Sequence, residues 1–132
     1  MALLFRAADT WSEHGLERDA FHLQPPWAHQ VWRWVQQNGA AADYVTEQAL
    51  QESQAADGCL ACGPMRYAAL VVLDASSLEP ETVAALEHYA EAGGRIAFIG
   101  ALPDRAPGLR DAVARDTLVR AGIARLLCDF PG

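Results

Sequence analysis

The sequence predicts a three-layer, doubly wound α/β fold on a mostly parallel sheet, and three observations within Tyr67 to Pro103 predict it. Leu70-Val71-Val72-Leu73 and Ile96-Ala97-Phe98-Ile99 are unbroken apolar runs, the pattern of strands covered on both faces. Between them Val83, Leu86 and Ala90 recur at helical spacing, with Tyr89 three residues after Leu86, while Glu79, Glu81, Glu87 and Glu91 fall mostly off that stripe. The punctuation agrees. Pro80 suits a first helical position, where its missing N–H costs nothing. The acids beside it favour the positive end of the helix dipole. Gly93-Gly94 supplies a left-handed stop. Strand Ala68 to Leu73, a helix from Pro80 to Gly93-Gly94, and strand Arg95 to Ile99 ending at Gly100 make one parallel crossover unit.

The other elements follow in order. Ala2 to Ala7 reads as a first strand. Ala8 to Pro26 is a long polar connection carrying Trp11, His14, Phe21, His22 and Pro25-Pro26. Connections of that length are often functional. Trp27 to Asn38 reads as a helix stopped by Gly39, with Val31, Trp34 and Val35 as its apolar stripe and Trp27 one turn upstream; Trp32 falls away from that stripe and is expected at the surface. Ala42 to Val45 reads as a short strand with Tyr44 and Val45 inward. Thr46 is suited to cap a short helix through Ser53, with Leu50 inward. Gln54 to Arg66 reads as irregular. After Pro103, Leu109 to Arg115 and Asp116 to Ala121 read as one broken helix or two short ones, and Ile123 to Cys128 as a final strand or a helix end.

The pattern β-α-β-(α)-β-α-β-α-(β) is read as one domain over residues 1–132, flavodoxin-like, with strand order near 2-1-3-4-5. The bulk numbers bound its chemistry. A chain of 132 residues with 52% hydrophobic content is large enough to bury one core. Its net charge of −7 argues against nonspecific nucleic-acid binding, which needs a basic surface. No apolar run approaches the roughly 20 residues of a membrane span. The start, MALLFRAAD, lacks a basic region and a long apolar core, so no signal peptide is expected.

Cys59, Cys62 and Cys128 are an odd set without a secretory signal, which points to reduced thiols and a cytoplasmic location. Cys59 and Cys62 form a C-x-x-C. A redox pair belongs at a helix N-terminus, whereas this one lies between Asp57-Gly58 and Gly63-Pro64 and reads as a turn or short strand. A zinc site would need a second ligand pair at suitable spacing, and none follows. No nucleotide cofactor is expected, because nothing matches G-x-G-x-x-G and Gly93-Gly94 closes a helix.

Tyr67, Leu70 to Leu73, Leu78-Glu79-Pro80-Glu81, Leu86, Tyr89, Ala92-Gly93-Gly94, Ile96 to Ile99, Gly100 and Leu102-Pro103 carry a family resemblance. Upstream, Ala42-Asp43-Tyr44-Val45-Thr46-Glu47-Gln48-Ala49-Leu50 adds to it. These residues resemble the class I glutamine-amidotransferase-like domain found inside multidomain glycoside hydrolases, both α-L-rhamnosidase-like enzymes and β-galactosidases with a trimerisation domain. The resemblance covers residues 40 to 103 and rests on fold-forming positions. Working amidotransferases place a cysteine on a tight elbow after a strand, with distal His and Glu partners. Here Ile99 is followed by Gly100-Ala101-Leu102-Pro103. His88 lies mid-helix, and His14, His22 and His29 have no evident nucleophile to serve. No carboxylate pair on barrel strands is apparent for glycoside cleavage either. The resemblance therefore implies a non-catalytic accessory domain, excised from a larger enzyme or a shortened relative. Its partners would be other domains of that enzyme or a second copy, and its work packing or oligomerisation.

Two other readings stay open at this level. One is a small hydrolase or amidotransferase-like enzyme with a site around Asp9, Asp74 and Cys59 or Cys62. The other is a binder of carbohydrate or another small ligand at the carboxyl ends of the strands, where open α/β sheets collect ligands. That edge would gather Asp9, Asp74, Ser76, Ser77 and Gly100 to Asp104. Asp9, Asp74, Ser76 and Gly100 are its candidate ligand-contacting residues. The competing reading of Asp74 and the serines is that they simply turn the chain into the helix. Trp11 and Trp32 are candidates for contact with a partner.

Overall fold

The computed structural model describes residues 1–5 and 28–129. In chain order they form β1 (Ala2–Phe5), α1 (Ala28–Gln37), β2 (Asp43–Thr46), α2 (Glu47–Gln51), β3 (Gln54–Ala56), β4 (Cys59–Cys62), β5 (Met65–Tyr67), β6 (Leu70–Leu73), α3 (Pro80–Glu91), β7 (Ile96–Ile99) and α4 (Ala112–Asp129). β2, β1, β6 and β7 lie side by side, all parallel, with Leu3 opposite Tyr44 and Val71, and Val71 opposite Ala97. Counted among themselves these strands run 2-1-3-4, the first four places of the expected order. A second, antiparallel sheet of β3, β4 and β5 precedes β6.

Side-chain alternation along the strands builds two apolar clusters. Leu3, Val71 and Leu73 meet Ala28, Val35 and Ala42 on the α1 side. Ala2, Leu4, Leu70 and Val72 meet Leu50, Val83, Leu86, Tyr89, Val119 and Ile123 on the side of α2, α3 and α4. The α3 stripe is buried as its spacing predicts, with Val83, Leu86, Tyr89 and Ala90 all in the core. Its C-terminus closes on two amides: Gly93, at φ +82°, donates to Ala90 O, and Gly94 donates to Tyr89 O. Gly94 packs flat on the Tyr89 ring, where a Cβ would lie 2.3 Å from Cε2.

Several expectations need correction. Gln54 to Arg66 is not irregular. Two tight turns fold it into β3–β5: Asp57 and Gly58 both take positive φ (52° and 72°), and Gly63 takes 56°, the left-handed backbone that two-residue hairpin loops require. Leu109 to Ala121 does not break into two helices, and of the two readings of Ile123 to Cys128 the helix end holds and the strand does not; α4 runs unbroken from Ala112 to Asp129. Val119, Gly122, Ile123 and Leu126 share its buried face, so helical packing on α3 claims the residues that looked strand-like. The stripe of α1 passes through Ala28, Val31 and Val35, and it leaves Trp34 66% exposed. Tyr44 is also half out, on the edge strand β2. β7 is covered on one face only: Ile96 and Phe98 pack on the core, but Ala97 and Ile99 are exposed. The Ala8 to Pro26 connection, the end of the first strand at Ala7, and Trp11 and Trp27 lie outside the described residues.

Candidate functional site

The carboxyl ends of β6 and β7 bring three of the four predicted residues together; Asp9 lies outside the described residues. Asp74 follows β6 in a left-handed conformation, φ 49°, which aspartate tolerates better than most residues. Its backbone N–H donates to Ile99 O at 2.6 Å, and its Oδ1 accepts from the Ala101 N–H at 3.0 Å. Gly100 stands between these bonds at φ +89°, and a Cβ there would lie 2.6 Å from Asp74 Oδ1. Position 100 therefore has room for no side chain. The carboxylate closes the turn after β7 from the neighbouring strand.

The two chain segments stay paired beyond the sheet. Asp104 N–H donates to Ser76 O, Leu78 N–H donates to Arg105 O, and Ser77 bridges Arg105 in parallel. Arg105 Nη2 donates to Ser76 Oγ at 3.1 Å, and Ser77 is fully buried. Ser76 and Asp74 thus hold the loops after β6 and β7 against each other.

A second polar cluster went unread in the sequence. Glu47 opens α2 yet is buried. Its Oε2 accepts from Thr82 Oγ1 at 2.8 Å and faces the Glu79 N–H at 3.4 Å. Glu79 is the N-cap residue of α3 and makes no side-chain cap of its own, so a carboxylate from another helix serves that end, where N–H groups lack partners. Gln51 Nε2 donates to the same Thr82 hydroxyl at 2.9 Å. Arg115 of α4 pairs with Glu79. Burial pushes the Glu79 carboxyl above its ordinary value, against the pull of Arg115 and with a lesser push from Glu81 and Glu47. The signal for this cluster was the Thr46-Glu47 start of α2, which by itself reads as a solvated first turn. Only the placement of α2 beside α3 buries it.

The resemblance motif has the same structural character. Tyr67 is buried, and burial, then the charge of Asp43, raise its phenol above the ordinary value. Leu50 is core.

The C-x-x-C lies on β4. Neighbouring side chains on a strand alternate, so Cys59 and Cys62 point to opposite faces with Cα atoms about 10 Å apart, beyond disulfide reach. Both are free thiols. Cys62 packs on the core and donates to Ala49 O at 3.8 Å, and burial raises its pKa. Among the described residues, no group of three or more His, Cys, Asp or Glu side chains is placed to hold a metal ion. No helix among them is long and apolar enough to cross a membrane. His88 is exposed on α3. Compared with known proteins, the chain matches no family model, no curated protein and no solved structure.

Proposed function

We propose that the chain is a non-catalytic accessory domain, flavodoxin-like and three-layered, of the amidotransferase-like kind that multidomain glycoside hydrolases carry, and that it works by docking on another domain or another copy. The observation that carries this reading is the closed turn after β7. Where an amidotransferase elbow would offer a nucleophile, Gly100 has no space for a side chain, and the Asp74 carboxylate fills the turn. Burial raises the pKa of the partly buried Cys62 thiol, the reverse of what a thiolate nucleophile needs.

The outward face of α4 supports the docking half of the reading. Val113 (81% exposed), Leu118 (60%) and Leu127 stand out from the helix, with exposed Ala114, Ala121 and Ala124 beside them. They stand among exposed Arg120, Arg125 and Asp129, and apolar side chains left this far out suit contact with a partner.

The test is alkylation of the native chain across pH, read separately at each cysteine by mass spectrometry. The expected result is that none of the three reacts faster at pH 7 than a cysteine in an unfolded peptide, and that Cys62 reacts slowest. A thiol several times faster than that reference would overturn the non-catalytic reading.

A further inference from the structure

We infer that the outer edge of β7 docks a second copy of this chain, β7 against β7 and antiparallel, across a two-fold axis normal to the sheet. The inference rests on the docking reading above and names its surface and partner.

The two edges of the parallel sheet are built differently. β2 carries Asp43 at its start, and a charged side chain is one way an edge repels another strand. β7 reads Ile96-Ala97-Phe98-Ile99, with no charge, no proline and an unbroken register on β6. No described strand pairs with its far side. Ala97 and Ile99 sit opposite Val71 and Leu73, which α1 helps to bury, yet they are themselves exposed, Ile99 by 38%. Open strand edge and open apolar face therefore coincide, which is unusual for a parallel strand, normally buried on both faces.

Charge selects the partner and its direction. Exposed Arg95 precedes β7, and the Asp74 carboxylate, bonded to Ala101 N, closes the other end. A two-fold axis normal to the sheet keeps like faces together, so only residues of matching parity can stand opposite each other. Setting Phe98 against Phe98 of the second copy places Ala97 of each chain across from Ile99 of the other, on the open face. It also brings Arg95 of each chain to the end of β7 in the other, the end that the Asp74 carboxylate closes. A parallel arrangement would set Arg95 beside Arg95. The antiparallel contact uses one patch twice and closes on itself, and it makes one continuous sheet of the two.

Analytical ultracentrifugation of the whole chain and of the Ala97→Lys variant tests this. Ala97 is exposed, so the variant should keep its fold, which circular dichroism checks. The expected result is a reversible dimer in the micromolar range that the variant weakens by about tenfold or more. A wild-type chain that stays monomeric up to the highest soluble concentration overturns the inference and leaves docking on another domain, while the thiol measurement decides the non-catalytic reading separately. A dimer as tight in Ala97→Lys as in the wild type also overturns it, while keeping the docking reading, because the copies then meet elsewhere.

Discussion

The crossover unit β6–α3–β7 and the antiparallel segment β3–β5 adjoin in sequence and in space, yet different physics holds each. The crossover is made by burial: all four residues of β6 are inside, and one face of α3 is core. The antiparallel segment is made by turns. Of its three strands, only Leu60 and Tyr67 are buried. Its Asp57-Gly58 tip docks on the end of α3, where Gly58 N–H donates to Ala92 O and the Tyr89 hydroxyl approaches Gly58 O at 3.4 Å. A unit defined by burial announces itself through apolar periodicity. A unit defined by turns announces itself only at the turns.

Deleting the same chemistry from each unit gives the largest expected difference between them. Leu86 and Leu60 are both fully buried. Leu86→Ala empties the middle of α3, between the sheet and its helical neighbours, and is expected to cost about 2–5 kcal/mol in urea unfolding. Leu60→Ala is expected near the lower end of that range, because a three-stranded surface sheet can settle into part of the space. A larger loss at Leu60 than at Leu86 would mean that the small sheet is integral to the core and that the contrast is false.

A smaller effect sharpens the role of the turns. Gly58 and Gly63 both hold positive φ, so alanine strains either by about 1–2 kcal/mol. Only at Gly58 does a Cβ also press on a neighbour, 3.0 Å from Gly93 O; at Gly63 it enters open space. Gly58→Ala should therefore cost more than Gly63→Ala, and hydrogen exchange should rise in β3–β5 and at the end of α3 while β6 stays protected. Equal costs at the two glycines would show that the tip does not lean on α3.

The same contrast explains what could be read beforehand. The crossover unit, its proline start and glycine stop, the Thr46 cap and the order of the first four parallel strands were legible, because each rests on a local rule. Thr46 Oγ1 does accept from Ala49 N–H. The Asp57-Gly58 hairpin is equally local, a strong two-residue turn signal, but its three- and four-residue strands leave little alternation to count. α4 misled because its apolar residues surround it, so no stripe told its buried face from its exposed one. Trp34 misleads because a large apolar side chain at stripe spacing reads as core, whereas Ala28, Val31 and Val35 make the contact with the sheet and leave the indole outside. The sequence puts Asp74 and Ser76 at the turn into α3, but their bonds to Ala101 and Arg105 join segments far apart along the chain and leave no local sign; the buried Glu47 cluster is beyond reach too, since nothing in the sequence says which helix lies beside α2.

That cluster supplies the smallest effect, and its sign is fixed. Burial lifts the Glu79 carboxyl above its ordinary 4.5, so in the native state it holds its proton at pH values where the unfolded chain has released it. Between those two pKa values the native state binds more protons, and acidification through that window favours folding at this position. Above the window the ionised, partly buried Glu79 costs stability that its Arg115 partner only partly returns; below the ordinary value the contribution no longer changes. Glu79→Gln has no proton to gain. The stability of the wild type relative to Glu79→Gln should therefore rise as pH falls through the window, by a small amount because the pair is only partly shielded from water. Urea titrations of both proteins at closely spaced acidic pH values measure it. A difference that runs the other way would mean that Arg115 outweighs burial at Glu79, and that the polar seam between α3 and α4 stabilises the crossover unit through charge as well as packing.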